Sequence, residues 1–178
     1  DKQEARCRLG WPIGCRIIFS VRQLGARYGL DDAIEAFGTL RREAPWHYYI
    51  AGAGPLRSVL EAKARKLEID ERVTFLGRVP DEVLALCYQA ADFSLVPTRS
   101  LECFGLIILE SLAVGCPVIA TDAGAIPEVL SELRGGITVP AGDICALSEV
   151  IRDAVRGNLL FPSGEEIIAE TTLKYGKK

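Results

Sequence analysis

The chain has 178 residues, of which 49% are hydrophobic and 25% are charged, and its formal net charge is -3. This length suits one domain or a large fragment of two, and the composition provides enough apolar residues for a substantial core. The small net charge and the scattered Lys and Arg residues argue against nucleic-acid binding, and no apolar run approaches the ~20 residues that span a bilayer.

The cysteine and methionine content limits the class of protein further. None of the six cysteines forms a CxxC pair and there is one histidine, so we expect no zinc site. Cys87, Cys116 and Cys145 lie in apolar periodic segments and are predicted to be small buried side chains. Free thiols and the lack of a visible signal peptide predict a cytoplasmic protein. Because the chain contains no Met, we expect it to be processed or, more simply, a piece of a longer protein.

After a leading segment, residues 1–15, short apolar runs alternate with segments of helical period. In chain order, strands are predicted at 16–21, 47–52, 72–77, 92–97, 116–121 and 135–140. Helices are predicted at 30–43, 55–69, 81–91, 104–115, 125–133 and 143–157, with a last helix at 162–176 in the C-terminal tail, 159–178.

This alternation predicts an α/β Rossmann-like three-layer domain, in which a six-stranded parallel sheet carries helices on both faces. The strands at 17–21, 93–96 and 118–120 are apolar throughout, as expected of strands that are buried on both faces. With no internal repeat and no low-complexity linker, residues 1–178 are predicted to form one domain.

Ligands of open parallel sheets bind at the carboxyl ends of the strands, so the loops after the strands are the candidate sites. The loop after the second strand contains Gly52 and Gly54, which allow a close approach of a ligand or of another backbone, and a plain tight turn explains them equally well. This loop lacks the GxGxxG pattern and does not follow the first strand, which argues against a dehydrogenase, and the chain contains no P-loop.

The loop after the fourth strand leads into a helix through the segment TRSLECFGLIILE, residues 98–110. Free N–H groups at a helix start attract anions, and Gly105 removes a side chain that would block a phosphate or diphosphate. Glu102 and Glu110 would then accept hydrogen bonds from hydroxyl groups on either side of that anion. Alternatively, Glu102 simply caps the helix and Glu110 is solvated, although the apolar neighbours of Glu110 make an unpartnered carboxylate costly.

Several ordered motifs give the chain a specific resemblance between residues 17 and 155. They are the two glutamates at 102 and 110 with Phe-Gly-Leu between them, the following GCPV, the upstream GAGP and RVTFLG, and GGITVPAGD at 135–143. In these motifs the sequence resembles the retaining glycosyltransferases of family 4, also called group 1, whose glycogen-synthase-like members have the two-domain GT-B fold.

The resemblance implies the C-terminal half of a GT-B enzyme, which holds a nucleotide diphosphate sugar while a missing N-terminal domain holds the acceptor. It places Glu110 on the ribose, Glu102 on the transferred sugar, and the amides of Phe104, Gly105 and Leu106 on the diphosphate. It also places the Gly77-Arg78-Val79 loop beside the base and adds Gly52 and Gly54 to the binding residues. The resemblance implies that no metal is needed, because a basic pair neutralises the leaving diphosphate.

The basic pair is where the sequence departs from the family. The family pattern has Arg-Leu after the first strand and Lys-Gly a few residues later, and these positions are Gln23 and Tyr28 here. Arg22 and Arg27 each stand one residue early. Either the loop is shifted in register and these two arginines act on the leaving group, or part of that machinery has been lost.

The leading hypothesis is therefore the donor-binding domain of a hexosyltransferase-type enzyme that is weakly active or inactive without its acceptor domain. The partners implied are the nucleotide-sugar donor and that N-terminal domain, with membrane contact only through the missing domain. Two alternatives remain at this point: a non-catalytic nucleotide or nucleotide-sugar-binding module, and an interaction domain with a vestigial pocket.

Overall fold

The computed structural model describes residues 1–102 and 105–176, and a six-stranded sheet lies at its centre. The strands are β1 (Arg16–Val21), β2 (Trp46–Ala51), β3 (Val73–Gly77), β4 (Phe93–Val96), β5 (Val118–Thr121) and β6 (Gly136–Val139). All neighbouring strands pair in parallel. The predicted six-stranded parallel sheet is therefore confirmed.

Helices connect the strands and cover both faces of the sheet. They are α1 (Lys2–Leu9), α2 (Leu30–Gly38), α3 (Arg57–Lys66), α4 (Asp81–Ala90), α5 (Leu106–Ala113), α6 (Ile126–Ser131), α7 (Ile144–Arg156) and α8 (Gly164–Tyr175). None of these described helices has the length and apolar character that crossing a membrane requires.

The strand order is β3-β2-β1-β4-β5-β6. The chain builds one half of the sheet outward from β1 to β3 and then builds the other half outward from β4 to β6, so the strand order reverses at the boundary between β1 and β4. These two strands pair through Ile18 beside Phe93 and Phe19 beside Ser94. The loops that leave β1 and β4 diverge from this seam, which leaves a crevice at the carboxyl edge of the sheet. The Rossmann-like architecture is confirmed, and its topology places the binding crevice between residues 22–29 and the loop after β4.

The core lies on both faces of the sheet. Ile18 of β1 packs with side chains of α2, α3 and α7, whereas Ile17 and Phe19 pack with those of α1 and α4. A third cluster joins α5, α6 and α8 to β4 and β5. Because successive residues of β1 face opposite layers and residues 17–20 are all buried, the run from Ile17 to Phe19 is apolar continuously rather than alternately.

Helix α1 lies in the leading segment, for which the sequence predicted no element. The segment carries charges all round and has no apolar stripe, but Asp1 accepts the Gln3 amide at 2.9 Å and Gly10 ends the helix with φ of 67°. Arg6 of α1 is buried and ion-paired to Asp92 at 2.6 Å, and Asp92 also accepts the Ile17 amide at 2.7 Å. These polar contacts fix α1 to the amino edge of β1 and β4.

One part of the cysteine prediction is wrong. Cys87 and Cys116 are buried as expected, but Cys145 is exposed on α7. Position 145 falls on the solvent side of α7, while Leu147 and Ile151 face the core. The apolar composition of this segment therefore did not identify which of its faces is buried.

Candidate functional site

The carboxyl edge of the sheet brings together two oppositely charged side chains that are far apart in the chain. Arg22 directly follows β1, and Glu102 lies in the loop after β4. The Arg22 Nη2 and Glu102 Oε2 atoms are 2.7 Å apart, and the two side chains are only 8% and 13% exposed. A buried ion pair thus occupies the crevice at the point where the strand order reverses.

The surroundings of Arg22 leave part of its hydrogen-bonding capacity unused. Its Nε atom is buried and has no hydrogen-bond partner among the residues described. Burial lowers the pKa of Arg22, while the charge and hydrogen bond of Glu102 act in the opposite direction. A buried donor without a partner costs free energy, so the coordination of Arg22 is incomplete in the described chain.

The structure also bears on the register of the basic loop. Gln23 is exposed, whereas the Arg22 side chain enters the crevice and meets Glu102. Arg27 is exposed, and its Nη2 atom lies 2.5 Å from the Tyr28 hydroxyl. The Tyr28 ring has the Arg27 guanidinium carbon 4.6 Å from its centroid and that of Arg22 at 5.4 Å. Both arginines therefore converge on Tyr28, while their action on a leaving group stays a prediction.

Two glycines in the loop after β2 support the Arg22 loop. A Cβ atom on Gly52 would lie 1.8 Å from the Arg22 carbonyl oxygen, and one on Gly54 would lie 2.4 Å from that of Leu24. The Leu24 amide donates to the Ala53 carbonyl at 3.1 Å, so the two loops are joined through their backbones. The close approach that these glycines permit is an approach of backbone to backbone, and ligand contact by either of them stays a prediction.

An ion-pair clamp that the sequence did not reveal joins the β1 loop to the β4 loop. Arg99 pairs with Asp31 at 2.7 Å and with Asp32 at 2.5 Å, and its amide donates to the Arg27 carbonyl at 2.8 Å. The hydrogen bonds that Arg99 donates to Asp32, more than those it donates to Asp31, raise the pKa of Arg99. In the sequence, Asp31 and Asp32 stand at the predicted start of a helix, where acidic side chains interact favourably with the helix dipole. Because that role explains both residues, the sequence did not indicate an ion pair with Arg99.

The structure does not support the alternative in which Glu102 simply caps α5. Gly105 is the N-cap residue with φ of 64°, and no side chain among the described residues caps this helix. Glu102 pairs with Arg22 instead, and its carbonyl accepts the Ala125 amide at 3.1 Å. Leu106, the first residue of α5, is 61% exposed at the crevice. Phe104, which was predicted to contact the diphosphate, lies outside the described residues.

Glu110 lies one turn into α5 beside a cavity of about 320 Å³ between α4 and α5. The cavity is lined by Asp81, Leu84, Ala85, Tyr88, Glu110 and Val114. Burial and the charge of Asp81 raise the pKa of Glu110, while the neighbouring Tyr88 hydroxyl and the charge of Arg22 oppose this effect. Glu110 is exposed rather than enclosed by its apolar neighbours, and it lines the cavity.

The loop after β3 reaches the same edge of the sheet. Gly77 has φ of 74°, Arg78 is exposed, and Val79 is half-buried against the apolar cluster of α1 and α4. The topology therefore places these three residues at the same carboxyl edge of the sheet as Arg22 and Glu102. Their predicted contact with a base stays a prediction.

No group of three or more His, Cys, Asp or Glu side chains within residues 1–102 and 105–176 has an arrangement that could hold a metal ion. His47 lies on β2, where it hydrogen-bonds the Thr74 hydroxyl at 2.8 Å, and burial lowers its pKa. The expectation that the chemistry needs no metal stays a prediction.

Residues 1–172 match the protein family described as "Glycosyl transferases group 1". The chain is 31% identical over 157 residues to a "GDP-mannose-dependent alpha-(1-6)-phosphatidylinositol monomannoside mannosyltransferase" of Mycolicibacterium smegmatis, covering 84% of this chain and 41% of that protein. It is 34% identical over 158 residues to a "D-inositol 3-phosphate glycosyltransferase" of Corynebacterium urealyticum, covering 84% of this chain and 37% of that protein. The chain thus spans about two fifths of the length of these relatives.

Solved structures share the fold. The C-terminal domain of the group 1 glycosyltransferase LpcC from Francisella tularensis has a TM-score of 0.85 and 23% identity, covering 100% of this chain and 94% of that chain. Anabaena HepE in complex with UDP has a TM-score of 0.85 and 19% identity, covering 98% of this chain and 48% of that chain. Together with the family match, these structures confirm the predicted resemblance and the predicted C-terminal half of a two-domain fold.

Proposed function

Because the chain belongs to the group 1 glycosyltransferase family, we propose that it is the donor-binding domain of an enzyme that transfers a sugar from a nucleotide diphosphate sugar to an acceptor, with retention of configuration. The observation that carries this proposal is the buried Arg22–Glu102 pair at the reversal point of the sheet. The pair places one cation and one carboxylate side by side, which are the two groups that a diphosphate joined to a sugar needs.

The cationic half of the site acts on the leaving group. As the bond between sugar and diphosphate breaks, negative charge grows on the phosphate oxygens, and a fixed guanidinium nearby lowers the barrier. Arg22 supplies this charge from a buried position, where its field is weakly screened. The N-terminal amides of α5 add a second source of positive potential at Gly105 and Leu106. Arg27 contributes from the rim of the crevice.

The carboxylates act on hydroxyl groups. In the donor complex the ion pair between Glu102 and Arg22 opens, and Arg22 pairs with the diphosphate. Glu102 then accepts hydrogen bonds from the transferred sugar. Glu110, beside the cavity between α4 and α5, accepts hydrogen bonds from the ribose hydroxyls. The Gly77-Arg78-Val79 loop borders the base, largely through its backbone. In this scheme Arg22 and the α5 amides neutralise the diphosphate, and the reaction proceeds without a metal ion.

The donor and the other parts of the enzyme follow from the same proposal. One relative is named for its dependence on GDP-mannose, and the HepE structure contains UDP. These names support a nucleotide-sugar donor but differ in the base. Because the chain spans about two fifths of those relatives, we assign acceptor binding and any membrane contact to an N-terminal domain and place the reaction in the cytoplasm.

Isothermal titration of the 178-residue chain with UDP, GDP, ADP and their sugar conjugates tests donor binding. At least one nucleotide should bind, and Glu110→Ala should weaken that binding on the order of tenfold or more, as expected when hydrogen bonds to a charged group are lost. Glu149→Ala is the matched control, since Glu149 is an exposed glutamate on α7. If no nucleotide binds the unaltered chain, the proposal is wrong.

The non-catalytic nucleotide-binding module remains a second candidate, because Tyr28 and the exposed Gln23 stand where the family has Lys and Arg. Donor hydrolysis or transfer by the protein that includes the N-terminal domain separates the two. The enzyme should release nucleoside diphosphate and give a product with the anomeric configuration of the donor, which NMR reports directly. Nucleotide binding with neither hydrolysis nor transfer would establish the module instead.

A further inference from the structure

Thr98 is a buried threonine in the loop after β4, and the proposed function gives it no part. It is 1% exposed, and its hydroxyl oxygen has no hydrogen-bond partner within residues 1–102 and 105–176. Its backbone carbonyl, in contrast, accepts a hydrogen bond from the Thr121 hydroxyl of β5. A buried hydroxyl without a partner costs free energy, and a valine would fill the same space without that cost.

The even-numbered residues of β4 face α5, and this pattern shows where the Thr98 side chain lies. The Ser94 and Ser111 hydroxyl oxygens are 2.8 Å apart, and Val96 packs in the same apolar cluster as Ile108. Two residues forward along β4 thus correspond to three residues back along α5, because this helix runs from the carboxyl edge of the sheet toward the amino edge. Side chains of an extended segment alternate between two sides, so Thr98, the next residue of this series, lies against the start of α5.

The odd-numbered residues show that the alternation continues past the end of the strand. Leu95 packs in the apolar cluster that contains the buried side chains of α2. Arg99, four residues later, points to the same helix, where it pairs with Asp31 at 2.7 Å and with Asp32 at 2.5 Å. Thr98 directly precedes Arg99, so its side chain takes the opposite side, away from α2 and toward α5.

The start of α5 offers further hydrogen-bond donors. Gly105 is the N-cap residue, and no side chain among the described residues caps the helix. The first amides of an α-helix have no acceptor within the helix, and they carry the positive end of its dipole. Arg22, which reaches the same loop through its pair with Glu102, adds a buried Nε atom that has no partner within the described chain. Amides, a hydroxyl and a guanidinium all donate hydrogen bonds, which is the combination that a phosphate oxygen accepts.

We propose that the Thr98 hydroxyl donates a hydrogen bond to a phosphate oxygen of a nucleotide diphosphate bound at the start of α5. This inference rests on the proposed function, because it assumes that the diphosphate occupies that place. The hydroxyl is covered in the free chain, so the diphosphate reaches it when the loop of residues 98–102 moves and the pair between Arg22 and Glu102 opens. The bond to the ligand then offsets the free energy that the unpartnered hydroxyl costs in the free chain.

The test is Thr98→Val, which keeps the shape of the side chain and replaces the hydroxyl by a methyl group. UDP, GDP and ADP are titrated calorimetrically against the unaltered 178-residue chain and against the variant. The Kd of the nucleotide that binds should rise about tenfold, as expected when a hydrogen bond to a charged group is lost. The thermal midpoint of the free variant should stay equal or rise, because the hydroxyl has no partner there to lose. Thr98→Ser keeps the hydroxyl and should retain most of the affinity.

Two controls separate ligand binding from folding. Thr171→Val makes the same exchange at another buried threonine, on α8, whose hydroxyl donates to the Ile167 carbonyl at 2.7 Å, and it should leave nucleotide affinity unchanged. Ser20→Ala removes a buried hydroxyl that has two partners, the Tyr48 hydroxyl at 2.7 Å and the Leu95 carbonyl. This second control should lower the thermal midpoint, because it leaves buried polar groups without their partner.

Four results would overturn the inference. The hydroxyl does not contact the ligand if Thr98→Val binds the nucleotide as tightly as the unaltered chain. Its role is structural if the affinity and the thermal midpoint of Thr98→Val fall together. The shape of the side chain matters, and not the hydroxyl, if Thr98→Ser binds as weakly as Thr98→Val. If the unaltered chain binds no nucleotide, the proposed function fails and the inference fails with it, an outcome distinct from the other three.

Discussion

Replacement of Glu102 by glutamine gives the sharpest test of charge in the crevice, because the structure predicts opposite effects on two ligands. Glu102 holds the Arg22 guanidinium at 2.7 Å, so a diphosphate has to replace one anion with another. Glu102→Gln keeps the shape and removes the negative charge. We expect nucleoside diphosphates to bind more tightly and the attached sugar to contribute less to donor affinity.

The magnitude follows from the geometry of the pair. Two unit charges about 4 Å apart interact by about 4 kcal/mol at an effective dielectric constant of about 20. Both side chains are nearly buried, but Gln retains a hydrogen bond to Arg22, and the site relaxes when the pair opens. We therefore expect about 1–2 kcal/mol of improved nucleoside diphosphate binding, which corresponds to about a five- to thirtyfold lower Kd.

The same substitution should make the free chain less stable. Loss of one partner leaves the other charge buried and uncompensated, which typically costs about 3–5 kcal/mol, and the hydrogen bond from Gln places this case at the lower end. Thermal unfolding measured with and without nucleotide should therefore show a lower Tm for the free variant and a larger increase on binding. Glu149→Gln, on the exposed face of α7, is the control and should change neither quantity.

Titration calorimetry with the nucleoside diphosphate and with its sugar conjugate decides the matter. If Glu102→Gln weakens the nucleoside diphosphate, then Glu102 orients Arg22 for the phosphates and does not compete with them. If the substitution lowers the affinities for the nucleoside diphosphate and for its sugar conjugate by the same factor, then the assignment of Glu102 to the sugar is also wrong.

Two further predictions concern the parts that support the site. Gly52→Ala places a methyl group 1.8 Å from the Arg22 carbonyl oxygen at a residue with φ of 128°. This substitution should lower the free energy of unfolding by about 3 kcal/mol or more and should reduce nucleotide affinity. Gly14→Ala is the control and should do neither, because a Cβ atom at Gly14 would meet no atom within 4 Å. Chemical denaturation measures the first effect, and equal unfolding midpoints for the two variants would contradict it. Burial acts to raise the pKa of Asp92, but nearby positive charges and the Ile17 amide hold it below its ordinary value. The contribution of ionised Asp92 to folding stability is therefore present above the pKa of the unfolded state and is lost as the pH falls through the folded-state pKa. Asp92→Asn should be less stable than the unaltered chain at pH 7 and should approach its stability in acid. A constant difference in stability across that pH range would refute this assignment.

Much of the fold followed from local pattern. Apart from the exposed Arg16 that begins β1, the strands β1, β4 and β5 are short, mainly apolar runs that are buried on both sides, as their composition predicts. Their hydroxyl residues Ser20, Ser94 and Thr121 are buried with hydrogen-bond partners. Glycine and proline then separate these runs from the helices. Helix α1 escaped prediction because its stability comes from the buried Arg6 and its contacts with Asp92, which are distant in sequence. Cys145 was misplaced because apolar composition does not identify the buried face of α7.

The site was predictable only in part, for a similar reason. The positions of Glu102 and Glu110 follow from a strand end and a helix start, which sequence pattern locates well. The choice between Arg22 and Gln23 depends on how the β1 loop turns, and that turn depends on backbone contacts with Gly52 and Gly54. Tyr88 has the periodicity of an ordinary core residue, and the reach of its hydroxyl to α5 depends on the packing of two helices.

The seam between β1 and β4 carries a buried arginine–carboxylate pair at each of its two ends, and the two pairs differ in how completely their arginines are coordinated. At the amino end, Arg6 donates to Asp92 and to the carbonyls of Ala90, Ile13 and Cys15. At the carboxyl end, Arg22 has the bond to Glu102 and, within the described chain, a vacant Nε donor. A saturated arginine gains nothing from a new anion, whereas an unsaturated one does. The Arg6–Asp92 pair therefore has a structural role, whereas a ligand can replace Glu102 as the partner of Arg22.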